Sequence, residues 1–312
     1  MNILLVGNGQ HANKRIIPSL IQLDLVSKID IVFNEVIHHK VDDSRINYFN
    51  KNDKDNSLDS SYDLIIYATR PDIHLENFYE YYDFSNKHLI EKPISSNFNF
   101  LKEVSFEKKY KNKKVFESLM YFHHPVVKKI QTITSNEIIK SIKCSFKVPH
   151  ADFEHYRYKK KFGGGSLLDQ GIYPISLISS IFGENLKLID SNLHYNSDFE
   201  VDLGGIAKFK NNSIQNITAE WGLGMEYENY LEINSLNFQY VFPFIFSKNE
   251  SLSYEYYLIN EKNEKLFETL GKSDQFKNMY TDILDSKLNN FFYSNFNELT
   301  KRYSFISKIF DT

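Results

Sequence analysis

The sequence is short of the residues that usually loosen a chain. Average usage would put about 22 glycines and about 16 prolines in a protein of this size. Its 312 residues hold 12 and 7. One cysteine, Cys144, excludes an internal disulfide framework and any multi-cysteine metal site, and it suits a reducing compartment. No apolar run reaches the ~18–20 residues of a membrane span. The start, MNILLVGNGQ, has neither the basic region nor the cleavage site of a signal peptide, so a cytoplasmic protein is expected. Excess charge is missing as well. Thirty-seven basic residues against 40 acidic ones give a net charge of -3 without long like-charge blocks, which leaves nucleic acid no electrostatic footprint. What remains is a globular balance, 42% apolar and 25% charged. A chain so sparing with glycine and proline keeps them where geometry requires them, and their positions become a map.

The first half reads as β/α units. Residues 2–6 (NILLV) run apolar into Gly7-Asn8-Gly9-Gln10-His11-Ala12, an amphipathic stretch follows to about Leu25, and Ile29 to Phe33 is apolar again. That is the order strand, tight turn, helix, strand, with strands buried on both faces. Further strands are expected at Arg45 to Phe49, Asp63 to Ala68, His88 to Ile90 and Val115 to Tyr121, with a helix over Leu101 to Tyr110. After about residue 120 the pattern changes. Helices are expected at Val126 to Thr134 and Leu167 to Ile181, then strands at 186–196, 201–210, 213–220, 227–235, 237–246 and 252–260, and helix again from Ser273. The class is α/β: a doubly wound parallel sheet over residues 1–120, then an α+β domain over 121–312 with an open, mostly antiparallel sheet.

Gly7-x-Gly9-x-x-Ala12 follows a strand and opens a helix. The first glycine allows the tight turn, the second lets backbone approach a pyrophosphate, and small Ala12 lets the helix pack on the strand. Helix N-terminal amides then face the phosphates. The acidic residue for a ribose hydroxyl belongs about 20 residues further on, where Asn34 and Glu35 stand. Glu35 favours NAD, whereas His38-His39-Lys40 argues for NADP, and the choice stays open with NAD slightly preferred. Glu91-Lys92-Pro93 ends another strand, at the edge where open α/β sheets bind ligands. A second glycine cluster, Gly163-Gly164-Gly165, precedes a helix on which Asp169 and Tyr173, four apart, share a face. Three glycines in a row admit close approach of backbone or ligand.

Together these elements resemble the glucose-fructose oxidoreductase / inositol dehydrogenase (Gfo/Idh/MocA) family over nearly the whole chain. The segments are GNGQHA (7–12), ATRPDIH (68–74), HLIEKPIS (88–95), ESLMYFHHP (117–125), GGGSLLDQGIYPISLISSIFG (163–183), the strand-rich 201–233 and DQFKNMYTDIL (274–284). The resemblance implies a two-domain NAD(P)-dependent oxidoreductase acting on sugars, cyclitols or nucleotide-linked sugars. It implies a nicotinamide between the domains, C-terminal helices packing back on the first domain, and a homodimer or homotetramer. Lys92 matches the family's catalytic-site lysine and Asp169 its substrate-contacting aspartate. Tyr173 falls where many members carry histidine, which points to the tyrosine-type branch of dihydrodiol and xylose dehydrogenases and deoxysugar ketoreductases. Gly7 to Ala12, Asn34, Glu35, Thr69, Arg70, His74, Glu91 and Lys92 are the expected cofactor contacts. Lys92, Arg157, Asp169 and Tyr173 are the expected substrate contacts.

The chemistry agrees with that branch. A tyrosine, with a reference pKa of about 10, serves as an acid or base near neutrality only when a cation stabilises its phenolate. Lys92 fits that role while polarising the substrate oxygen. The chain also departs from the family's pattern. Phe122 stands where the branch usually has arginine, Ser176 where histidine-type members place aspartate, and residues 36–61 are short and polar on the adenine side. The group His150, Asp152, Glu154 and His155 has irregular spacing and reads as surface, so no metal is expected. Lys159-Lys160-Lys161 with Arg157 reads as solvated or as a phosphate site. An NAD-cycling glycosidase and a non-catalytic ligand sensor on the same fold are the alternatives.

Overall fold

Residues 2–6 are apolar without a break, and they form β1 (Asn2–Val6), a central strand of a six-stranded parallel sheet. Ile3, Leu4 and Leu5 are wholly buried, each contributing about 1.5–3 kcal/mol of apolar burial. The structure is a computed structural model that describes residues 1–34, 40–52, 58–285 and 294–312. After a π-helical turn, α1 (Ile17–Ile21) carries Pro18 in its first turn, where a missing N–H costs nothing. The helix stops short of Leu25, because Leu23 and Val26 turn inward, 4% and 1% exposed, in tight turns that lead to the next strand. There follow β2 (Lys28–Phe33), β3 (Ile46–Asn50), β4 (Leu64–Tyr67), α2 (His74–Glu80), β5 (Lys87–Ile90), α3 (Val104–Asn112) and β6 (Lys114–Glu117). The strand order is β3-β2-β1-β4-β5-β6. The direction of winding reverses between β1 and β4, the switch point where such sheets bind ligands.

The second part begins with α4 (Pro125–Asn136), whose N-cap is His124: its Nδ1 accepts the Val126 N–H at 3.2 Å. Then come β7 (Ile139–Val148), α5 (Ile172–Phe182) and β8 (Lys187–Tyr195). The remaining strands are β9 (Asp202–Lys210), β10 (Asn216–Leu223), β11 (Glu228–Ser235), β12 (Phe238–Pro243), β13 (Tyr254–Asn260) and β14 (Lys265–Leu270). They form one eight-stranded sheet in the order β14-β13-β12-β11-β7-β10-β9-β8, antiparallel except for the parallel pair β7 and β10. The expected open, mostly antiparallel sheet is therefore present. Strand β7 is an addition at its centre that the sequence reading did not place. The turn at residues 210–213 joins β9 to β10 as a hairpin, with Asn211 Oδ1 accepting from the Ser213 and Ile214 N–H groups. Two helices close the chain, α6 (Gln275–Leu284) and α7 (Phe296–Phe310).

Two compact units result. One is Met1–Met120 with Phe276–Phe296; the other is Tyr121–Gln275 with Asn297–Thr312. In the second, Trp221 on β10 is 1% exposed and lies against Gly171, where a side-chain carbon would stand 2.9 Å from the indole. That contact seats the start of α5 on the sheet.

Candidate active site

In the first unit, the glycine turn sits at the carboxyl end of β1. Gly7 has φ +108°, and a Cβ there would lie 2.6 Å from the Ala68 carbonyl oxygen. Only glycine satisfies both conditions. Gly9 has nothing within 4 Å of where a side chain would begin, so the space above the turn is open. Asn13, which the sequence reading passed over, holds the turn from below: its Nδ2 donates to the Asn8 carbonyl, the Asn8 side chain and the Gly9 carbonyl at 2.9–3.1 Å. Ala12 is fully buried, while Gln10 and His11 are exposed. This is a cradle that a dinucleotide pyrophosphate fits.

Glu91, the residue after β5, is almost wholly buried, and His11 Nε2 lies 3.4 Å from its carboxylate. Burial would raise its pKa, but His11, the Ser118 hydroxyl and Lys92 outweigh it and hold the carboxyl below its ordinary value. The two sequence motifs thus meet at one sheet edge. Lys92, half-buried, precedes Pro93. His74 is 1% exposed, with Nδ1 2.8 Å from the Pro93 carbonyl and Nε2 2.9 Å from the Thr69 carbonyl. Burial lowers its pKa against those hydrogen bonds. His74 therefore ties the 69–70 turn to the Lys92–Pro93 turn. Thr69 Oγ1 accepts from Asn77, and Arg70 is exposed and paired with Asp72 at 3.2 Å. Asn34 is exposed at the end of β2. Glu35, like His38 and His39, lies outside the described residues.

In the second unit, Asp169 and Tyr173 occupy the start of α5. The helix opens with a π-helical turn over Leu167–Gly171, a local widening that recurs at functional sites. Tyr173 is 8% exposed and surrounded by rings: Phe146 at 5.0 Å, Phe246 at 5.4 Å and Tyr121 at 5.8 Å. Asp169 is not bare. Arg157 Nε lies 2.5 Å from its Oδ2, and Gln170 donates to the same oxygen at 2.6 Å. Sequence reasoning also missed Asp202 on β9, which accepts the Ser166 hydroxyl at 2.5 Å and the Leu167 N–H at 2.7 Å. It anchors the first turn of the Asp169 helix. Phe122 is buried at 5% exposure, and His123 and His124 are buried as well.

Comparison with known proteins follows the same lines. Residues 132–235 match the family model of the GFO/IDH/MocA C-terminal domain, which agrees over those residues with the resemblance read from the motifs. A dTDP-3,4-didehydro-2,6-dideoxy-alpha-D-glucose 3-reductase of Actinomadura kijaniata is 28% identical over 147 residues, 46% of this chain and 44% of the relative. The chain spans less than half the length of the curated relatives it matches. Among solved structures, a 3-ketoreductase from Actinomadura kijaniata in complex with NADP and TDP-benzene superposes with a TM-score of 0.84 at 16% identity, covering 100% of this chain and 97% of that one. The super-repressor mutant of Gal80p from Saccharomyces cerevisiae superposes at 0.76 and 14% identity, over 100% of this chain and 95% of that one. At these identities the superpositions establish the fold.

Proposed function

We propose that the chain is an NAD(P)-dependent oxidoreductase that interconverts a carbonyl and a hydroxyl on a sugar, with a nucleotide-linked deoxysugar as its substrate class. The observation that carries the reading is the intact set Lys92, Asp169 and Tyr173, each at the end or start of an ordered element, in a chain whose Gly7–Ala12 turn is shaped for a pyrophosphate. The reductase relatives, named for dTDP-linked sugars, and the solved 3-ketoreductase holding NADP support the substrate and cofactor classes. NAD and NADP both remain in the reading, since Glu35, the residue that favours NAD, lies outside the described residues. A bound nicotinamide cofactor supplies the hydride. Gly7, Asn8 and Gly9 would hold its pyrophosphate, and Thr69 and Arg70 are the further residues that would contact it.

The chain's own residues do the rest. Lys92 hydrogen-bonds the substrate carbonyl oxygen and stabilises the charge that develops there. Tyr173 supplies its Oη proton to the hydroxyl being formed and recovers it from solvent after turnover. Asp169 and Arg157 form the wall that orients the sugar and its charged handle. Tyr173→Phe and Lys92→Ala should each lower turnover by about 10²–10⁴-fold, with cofactor affinity retained in a direct binding measurement. Near-wild-type turnover in either variant removes the assignment. A second reading, a ligand sensor without turnover, is favoured by one feature: Phe122 where the branch usually carries arginine. Saturable sugar binding with no change in a bound cofactor's oxidation state distinguishes it. We read the assembly as a homodimer or homotetramer.

A further inference from the structure

The triple glycine admits a close approach, and what approaches is main chain. A side chain at Gly164 would stand 2.5 Å from the Arg157 carbonyl oxygen and 2.6 Å from that of Tyr156. The Gly165 N–H donates to the same Arg157 carbonyl at 2.9 Å. On the other side, His155 Nδ1 accepts the Arg157 N–H at 3.4 Å. The Arg157 backbone is therefore held from both ends, and its side chain is delivered to Asp169 at 2.5 Å. Asp169 is four residues before Tyr173 on one face of the helix. The rings that bound Tyr173, Phe146, Phe246 and Tyr121, bring no charge of their own.

We propose that Arg157 is a positioning residue for Tyr173: the triple-glycine turn and Asp169 hold its guanidinium where it favours the phenolate and screens the phenol from the Asp169 carboxylate. This rests on Tyr173 as the proton-transfer group and goes beyond Arg157 as a substrate contact. An opposite charge within a few ångströms favours the ionised form of a phenol, and a like charge disfavours it, by one to a few pH units. Asp169, one turn before Tyr173, holds the Arg157 guanidinium, and Tyr173 and Arg157 act on each other electrostatically, so the two members of the pair push the Tyr173 titration in opposite directions. Arg157 keeps its charge. Burial works against the guanidinium, but Asp169, Tyr156 and Tyr173 outweigh it and raise its pKa. His155 does not compete as a cation, because burial and Arg157 itself lower its pKa against the pull of Asp169 and Asp152.

The test titrates Tyr173 directly, in the full chain without cofactor or sugar. Protein labelled at the tyrosine ring carbon bearing the hydroxyl is followed by NMR against pH, and Tyr173→Phe identifies the resonance. Arg157→Met should move the midpoint up by about one pH unit, through loss of the cation and exposure of the anion. Arg157→Lys, which keeps the charge, should stay near wild type, and Asp169→Asn should move the midpoint down. Gly164→Ala, which displaces the Arg157 carbonyl, should shift it part of the way upward. Opposite shifts for Arg157→Met and Asp169→Asn support the proposal, since a merely structural pair would move both the same way or not at all. An unchanged midpoint in Arg157→Met overturns it. So does a wild-type Tyr173 that keeps its proton up to alkaline unfolding. Should Arg157→Met fail to fold, the Asp169→Asn and Gly164→Ala shifts decide. The titration needs no turnover, so it stands apart from the test of the reductase reading.

Discussion

Asp202 and Lys248 are ionisable groups in the second unit on which burial acts in the same sense, against the charged form. Asp202 is 3% exposed, and burial raises its pKa, with the Ser166 and Leu167 hydrogen bonds working against that rise. Nothing in the string VDLGG announces this role, since its partners are 35 and 36 residues away in sequence. Asp202→Ala leaves the Ser166 hydroxyl and the Leu167 N–H buried and unpaired, a cost of about 2–3 kcal/mol. Urea unfolding should show that loss, together with a weakened helix start under Asp169. Lys248 follows β12, with Nζ bonded to the Ile245 carbonyl and 5.7 Å from the centre of the Tyr254 ring. Burial drives its pKa down to about 7. A lysine depressed in the folded state binds its proton less tightly there than in the unfolded chain. Stability is therefore lowest below pH about 7 and rises as pH climbs from there toward 10.5. Lys248→Met should stabilise the protein near neutral pH by roughly 1–2 kcal/mol and flatten that rise, as equilibrium unfolding at several pH values will show. Equal pH slopes in the two proteins contradict the argument.

At the scale of elements, the strand–turn–helix units were legible because buried parallel strands read as unbroken apolar runs. Strand β7 was not. Its sequence, IKSIKCSFKV, carries three lysines, which a search for buried strands passes over. Two of them are neutralised from neighbouring strands: Lys143 by Glu220 at 3.0 Å, and Lys147 by Glu220 and Glu228, each at 3.0 Å. That balance exists only once β10 and β11 lie beside β7. The glycine turn makes a sharper prediction at this scale, because its two glycines are needed for different reasons. Gly7→Ala should lower the melting temperature by several degrees, since φ and the Ala68 carbonyl both oppose a side chain. Gly9→Ala meets open space and should melt like the wild type, while its affinity for NAD(P) falls several-fold. Calorimetry and a binding titration separate the two. Equal melting points for Gly7→Ala and wild type would show that the turn is not built as described.

For the molecule as a whole, the order of motifs carried more than any single one. The parallel strands of the first sheet, the open second sheet, and the glycine and Glu-Lys-Pro turns as separate motifs were all readable in the sequence. Two things were not. The partners of Asp169 come from a loop twelve residues upstream and from the next residue, and no periodicity links Arg157 to that helix. The second role of the glycine cluster, clamping Arg157, appears only when the backbone of residues 156 and 157 is seen against Gly164. A ligand that binds only the folded state adds stability, about 2.7 kcal/mol at a hundred times its dissociation constant. NADPH or NADH at such a concentration should therefore raise the melting temperature, and the Gly9→Ala variant should lose most of that rise. The proposed reaction is hydride transfer between a nicotinamide and a nucleotide-linked sugar. Incubation of the protein with NAD(P)H deuterated at the transferable position and a panel of nucleotide-linked keto-sugars tests it most directly. One deuterium is expected on the carbon that becomes the carbinol, read by NMR and mass spectrometry, together with oxidised cofactor. Sugar left unlabelled across the panel, or hydrolysed with no net change in the cofactor, would contradict it.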